Sequence, residues 1–194
     1  MSGIYLHVIT EGQTEQAFIL KVLAPHLAQF NVYADARCIL TSKDKHAGKQ
    51  YRGGLPNYQK AKADIQTWLK EDQRPNCRFT TMFDLYALPN DFPDFEKSSR
   101  CTDPYQQINL LETALARDIG DCRFMPYLQL HEFEALILAD ATKLDWEYLE
   151  HESAIANLVA MVAKVSAGNP ELINQGAATA PSKRILKEIP EYDK

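Results

Sequence analysis

Apolar positions recur along this chain in two alternating rhythms. Residues 4 to 10, IYLHVIT, form a short run rich in strand-forming residues. Residues 13 to 29 then place Phe18, Ile19, Val22, Leu23 and Leu27 at the spacing of one helix face. The pattern predicts strand followed by helix. Pro25 falls inside the helical stretch, where its ring would meet the carbonyl of Lys21, so a kink or an early stop is expected there. A second strand is predicted over 32 to 40, and a second helix, carrying Ile65, Trp68 and Leu69, over 57 to 70. A third strand, RFTTMF at 78 to 83, runs up to Asp84, a further helix spans 104 to 118, and RFMPYLQL at 123 to 130 supplies a fourth strand. Pro126 has no N–H for a ladder and sends this last strand to an edge or a bulge. From 131 onward the pattern is helical.

Strands alternating with helices, over connections long enough for crossovers, imply an α/β fold. Its expected form is a mostly parallel four-stranded sheet covered by helices on both faces, with a helical C-terminal extension. The α/β domain is read as 1–140 and the extension as 141–194. A chain of 194 residues with 45% apolar composition can bury one full core. No stretch approaches the roughly 20 apolar residues that cross a bilayer, and the N-terminus lacks the basic flank and cleavage site of a secretory signal. The reading is a cytoplasmic protein with no membrane partner. Cys38, Cys77, Cys101 and Cys122 are widely spaced and form no CxxC, which points to reduced thiols rather than a zinc knuckle or a redox motif. The pattern leaves a homo-oligomer open.

Charge narrows the partners. A net charge of −5 excludes a protein that coats nucleic acid over its whole surface, so any such contact must be focused. The segment TSKDKHAGKQYRGG, 41 to 54, provides a focus: it lacks periodicity and carries Lys43, Lys45, Lys49 and Arg52 against Asp44. It reads as a basic loop. Residues 131 to 161 hold seven acidic residues and one lysine, consistent with a polarised surface or with a solvated helix face.

Candidate chemistry lies where strands end, because open α/β sheets bind ligands beyond the carboxyl ends of their strands. Glu11 and Glu15 follow the first strand, Asp84 the third, and Glu132 and Glu134 the fourth. With a helix starting near 11, the i, i+4 spacing puts Glu11 and Glu15 on one side of its first turn, and Gly12 permits a tight exit from the strand. Two carboxylates that close repel unless a divalent cation binds both. The plain alternative is a capping box, Thr10-Glu-Gly-Gln13, with glutamates favoured by the helix dipole. Asp84 alone reads equally as a turn residue before a proline-containing loop. In LHEFEALILAD, 130 to 140, Glu134 has Leu130, Ile137 and Leu138 at helical spacing. A carboxylate so placed needs a cation, a proton or a buried partner such as an arginine. His131 beside it reads as structural or as a carboxylate-orienting group. In APSKRILKEIP, Pro181 and Ser182 start a short helix with Lys183 and Arg184 in its first turn. Cations there oppose the dipole, so a phosphate or acidic neighbours from 131 to 161 are the expected counterparts.

Taken together, the arrangement resembles the Toprim fold, the metal-binding catalytic domain of topoisomerases, bacterial primases and overcoming-lysogenization-defect-type nucleases. VITEGQTEQAF looks like the nuclease version of that fold's first motif, with Glu11 and Glu15 at the matching positions. More narrowly, EGQTEQAF, FDLYALP, LHEFEALILAD and APSKRILKEIP resemble a bacterial Toprim-like family of domains of unknown function encoded beside an ABC or SMC-like ATPase. The resemblance implies one or two Mg²⁺ or Mn²⁺ ions held by Glu11, Glu15, Asp84 and Glu134. It also implies catalysis by these residues with Lys183, phosphodiester hydrolysis of DNA or RNA, and an ATPase partner in a bacterial defence or DNA-processing system. Lys43, Lys45, Lys49, Arg52 and Arg184 would grip the phosphate backbone. Two departures stand out. The second Toprim motif is Asp-x-Asp, whereas Leu85 and Tyr86 follow Asp84 here; Glu134 is the preferred substitute, ahead of Asp91 and Asp94. The chain also ends at EYDK, where the resembled family continues, which implies a missing C-terminal segment. A non-catalytic regulator of the ATPase with a degraded metal site is the alternative function, and a phosphohydrolase acting on nucleotides or RNA ends is a third.

Overall fold

The computed structural model describes residues 3–43, 50–52, 55–173 and 179–193, with the side chains of 40–43 and 50–52 outside the description. Two compact units, Met1–Leu128 and Gln129–Lys194, make up the chain.

In the first unit the order of elements is β1 (Ile4–Thr10), α1 (Gln13–Phe18), a π-helical stretch (Ile19–Leu23), α2 (Ala24–Ala28), β2 (Val32–Cys38), β3 (Leu40–Lys43), β4 (Gln50–Arg52), α3 (Tyr58–Glu71), β5 (Cys77–Asp84), α4 (Phe95–Ser98) and α5 (Pro104–Ile119). β6 (Leu128–Gln129) follows, and the sheet runs β2-β1-β5-β6 with β1 parallel to both neighbours. The expected four-stranded parallel α/β sheet is therefore present.

Alternation along the strands assigns each face its cover. Ile9, Cys77, Phe79 and Phe83 pack with Ile65, Trp68 and Leu69 of α3 and with Leu111 and Leu115 of α5 in one buried cluster. The other face carries Thr10, Ala36 and Cys38, and Gln16 of α1 hydrogen-bonds to Cys38 and to the Ala36 carbonyl. Helices thus cover both faces.

At Pro25, where a kink or an early stop was expected, the regular α-helix ends at Phe18 and the turns widen to π spacing over Ile19–Leu23, so that Pro25 sits in the first turn of α2, where a missing N–H costs little. Two expectations change. The fourth strand shrinks to Leu128–Gln129 plus an isolated parallel bridge between Phe79 and Phe124, because Pro126 interrupts the ladder; as expected, this strand lies at the sheet edge. The segment read as a basic loop contains a hairpin, with β3 antiparallel to β4, Leu40 opposite Arg52 and Lys43 opposite Gln50. Backbone pairing, which needs no side-chain periodicity, accounts for the miss.

The second unit comprises α6 (Glu134–Ile137), a 3₁₀ stretch (Leu138–Trp146), α7 (Glu152–Ser166), a 3₁₀ turn (Pro170–Leu172) and α8 (Pro181–Glu188). Its own core joins Leu138, Leu144, Ile155, Leu158, Ile173, Ile185 and Ile189. Among the described residues no helix is long and apolar enough to cross a membrane.

Candidate metal centre

From β1 the chain moves to β2 on one side, and later places β5 on the other side of β1. Connections that leave in opposite directions open a crevice at the carboxyl ends of the two strands between them, here β1 and β5. Glu11 and Asp84 stand at the two lips of that crevice.

The registers Thr10↔Cys38 and Thr10↔Met82 continue one step beyond β1, where the Glu11 N–H donates to the Met82 carbonyl at 3.3 Å. Glu11 is therefore the last residue of the strand ladder, not the first of a helix. Its carboxylate reaches across the crevice and accepts from the Asp84 N–H, Oε2 at 3.3 Å. The two residues are 73 positions apart in the chain. By the alternation that sets Met82 beside Thr10, Asp84 falls on the face that α1 covers.

The capping-box alternative is not what this turn uses. α1 starts at Gln13 with Gly12 as its cap and no side-chain cap hydrogen bond. The Thr10 hydroxyl turns inward, within 3.1 Å of the Gly12 carbonyl and 3.3 Å of Cys38 Sγ. Glu15, in the first turn of α1, is buried and folds its carboxylate back over Gly12. A Cβ on Gly12 would lie 2.7 Å from Glu15 Oε2, so the absence of a side chain at Gly12 makes the room that this carboxylate occupies. The backbone of Gly12 itself is extended, with φ −133°.

Other candidates have different employment. Asp91 accepts from the Tyr58 N–H at 2.9 and 3.1 Å and serves the start of α3. Asp94 pairs with Arg117 at 3.1 Å. Lys45 and Lys49 lie outside the described residues; Lys43 and Arg52 are described only through their backbones in the hairpin.

In the second unit, Glu134 is fully buried in the first turn of α6, and its charge contributes, after burial, to pushing the Tyr192 phenol up. At the start of α8, where the helix dipole favours negative charge, Glu132 Oε2 accepts from the Ser182 N–H at 3.0 Å. Lys183 is exposed. Arg184 donates Nε–H to the Thr179 carbonyl at 2.7 Å, which ties it to its own helix start. His131 is half-buried, and burial holds its imidazole below the ordinary value.

Among the described residues no three His, Cys, Asp or Glu side chains converge closely enough to hold a metal ion by themselves. A hard cation such as Mg²⁺ does not require three, since it keeps several waters and takes one or two carboxylates together with substrate phosphates. The all-oxygen donors of Glu11 and Asp84, and the cradle that Gly12 leaves for Glu15, fit that chemistry.

A family model described as "Domain of unknown function (DUF4276)" matches residues 10–194. The chain belongs to the DUF4276 family. No curated protein and no solved structure matches it. The match to this DUF4276 chain begins at Thr10, so it takes in Glu11, Glu15 and Asp84 together.

Two networks escaped the sequence reading. Cys38 and Gln16 clasp the β1–α1 turn, and the only sign of it is a cysteine alternating inward on β2. His7 on β1 lies between Asp35 Oδ1 on Nδ1, 2.6 Å, and Asp72 Oδ2 on Nε2, 2.7 Å. Its partners come from β2 and from just beyond α3, and no local spacing links them.

Proposed function

We propose that this DUF4276 chain is a Mg²⁺- or Mn²⁺-dependent phosphodiesterase of Toprim-like type, a nuclease acting in the bacterial cytoplasm together with an ATPase. The observation that carries the reading is the meeting of Glu11 with Asp84 at the switch point of the sheet. Two acidic residues from distant segments converge where α/β sheets bind ligands.

Glu11 and Asp84 would hold the cation, with waters and substrate phosphate completing its donors and the Glu15 carboxylate adding negative charge from the first turn of α1. When bound, such a cation supplies Lewis-acid polarisation of a phosphate and a water of lowered pKa. The chain's own part is to fix Glu11 and Asp84 at rigid strand ends and to shield Glu15, in the first turn of α1, from bulk water. The basic segment with Lys43, Lys45, Lys49 and Arg52 would hold the phosphate backbone. A nicking assay on supercoiled DNA with Mn²⁺, beside a calorimetric Mn²⁺ titration, tests the reading. Cleavage and binding should both be lost in Glu11→Gln and Asp84→Asn, and Mn²⁺ binding unchanged in both variants would refute it.

A second reading has one observation in its favour. Leu85 and Tyr86 enter a 3₁₀ turn where the resembled motif carries its second aspartate, so the chain would act as a non-catalytic regulator of the ATPase. Mn²⁺ binding without cleavage, joined to retention of the ATPase in a pull-down, would favour it.

A further inference from the structure

We infer that Cys38 and Gln16, with Thr10, are positioning residues that set the separation of Glu11 and Glu15; this rests on the metal-centre reading above. The Gly12 carbonyl is the hub. It accepts the first i→i−4 bond of α1, from the Gln16 N–H at 3.3 Å, and lies 3.0 Å from Cys38 Sγ and 3.1 Å from Thr10 Oγ1. Cys38 Sγ is also 3.2 Å from Gln16 Oε1 and 3.3 Å from Thr10 Oγ1. The other end of the Gln16 amide donates to the Ala36 carbonyl at 2.9 Å.

One hydroxyl proton and one thiol proton serve this cluster. Thr10 donates to Gly12 or to Cys38, and Cys38 donates to Gln16 or to Gly12. Every such assignment links the Thr10 and Cys38 side chains, both buried, to the β1–α1 turn. A buried donor without an acceptor is costly, so the cluster resists rearrangement.

The consequence falls on the acidic residues. Glu11 is held at its N–H by the Met82 carbonyl, and the next residue, Gly12, is held at its clasped carbonyl. Glu15 rides on the helix whose first turn Gln16 pins to β2. With both ends fixed, the Glu11 carboxylate reaches the Asp84 N–H, and Glu15 lies over Gly12. Loosening the clasp frees the turn without touching a carboxylate.

The test compares Cys38→Val, which removes the thiol donor, with Cys38→Ser, which keeps a donor and an acceptor. Two readouts are followed: the Asp84 amide cross-peak in ¹H–¹⁵N spectra of the metal-free protein, and the Mn²⁺ dissociation constant by calorimetry. Cys38→Val should shift the Asp84 peak and weaken Mn²⁺ binding about tenfold, the low end for losing a group that orients a ligand, and Cys38→Ser should restore both. Should Cys38→Val fail to fold, Gln16→Leu at the more exposed end of the clasp is read in the same way. An unmoved Asp84 peak with unchanged Mn²⁺ affinity overturns the inference. Mn²⁺ binding that Glu11→Gln does not weaken overturns the metal reading instead, and the metal-free Asp84 peak still decides the clasp.

Discussion

Replacing His7 by Phe tests how the centre of the sheet is held. The ring of His7 packs, tilted, against Trp68, 4.7 Å away, and Phe79, 4.8 Å away. Carboxylates at neutral pH only accept, so contacts from Asp35 and Asp72 to both ring nitrogens require both to carry protons. Burial opposes that charge, and the hydrogen bonds and charges of Asp35 and Asp72 outweigh it, so the His7 pKa stands above its ordinary value. Phe fills the same space and keeps the ring contacts while losing both hydrogen bonds. The bond to Asp72 is well buried, with side chains 8% and 11% exposed, and counts as a charge-assisted bond of about 1.5–3 kcal/mol. The Asp35 side chain is 56% exposed, so its bond counts as a surface pair of roughly 0–1 kcal/mol. Asp72 keeps its ion pair with Arg74 and is not stranded, which caps the expected loss at about 2–3 kcal/mol. At this chain length that corresponds to a fall in Tm of about 5–10 °C.

The sign of the pH dependence follows from linkage. A group with a raised folded pKa contributes stability that is complete below its unfolded value, near 6.5, and is lost as pH rises through the folded pKa. Asp72 behaves oppositely. Arg74 foremost, then its other partners including His7, hold it well below the usual carboxylate range, so its share is present above about pH 4 and lost in acid. From pH 5.5 to 9.5 the difference in urea denaturation between wild type and His7→Phe therefore reads His7, because the lowered His131 imidazole is common to both. The wild-type advantage over His7→Phe should be greatest at pH 5.5 and shrink steadily at higher pH. An advantage independent of pH, or none at pH 5.5, would refute the doubly bonded imidazolium.

Other substitutions probe the edge of the sheet and the second unit. Gly12→Ala meets no backbone strain, so stability should change by less than about 1 kcal/mol in a melt, while the displaced Glu15 carboxylate weakens Mn²⁺ binding in calorimetry. Glu132→Ala should cost about 1–3 kcal/mol in urea denaturation, because the Ser182 N–H is left buried without its acceptor, and Glu132→Gln should recover most of the loss. Replacing Lys43, Lys45, Lys49 and Arg52 together by Ala should flatten the slope of log affinity for DNA against log salt by about 3–4, as measured by fluorescence anisotropy.

How far the sequence foretold this molecule depended on the range of the interaction. β1, β5, α3 and α5 were legible because each carries its own apolar period, and a period of two or of 3.6 is a local property. The starts of α3 and α5 are local too, where Asn57 and Asp103 accept from the N–H of Lys60 and Tyr105. At the start of α1, which the pattern placed at residue 13, the capping-box alternative failed although Thr10 is a good cap by type. Its partners Cys38 and Gly12 drew it into the sheet, and strand pairing carried the ladder one residue further to Glu11. The hairpin of Leu40–Lys43 with Gln50–Arg52 left no trace for the converse reason: it rests on backbone bonds that any side chain tolerates.

The stretch EGQTEQ behaves as one mechanical unit, which neither a capping box nor helix-face spacing alone describes. Glu11 closes the strand ladder with its backbone and crosses to Asp84 with its side chain. Gly12 gives its missing side chain to Glu15 and its carbonyl to the clasp. Gln13 opens the helix, and Gln16 pins that helix to the outer strand. A glutamate pair spaced for a helix face alone would need none of these neighbours. Here the two carboxylates sit on different kinds of structure, one on a strand end and one on a helix turn, so their separation is set by the turn between them.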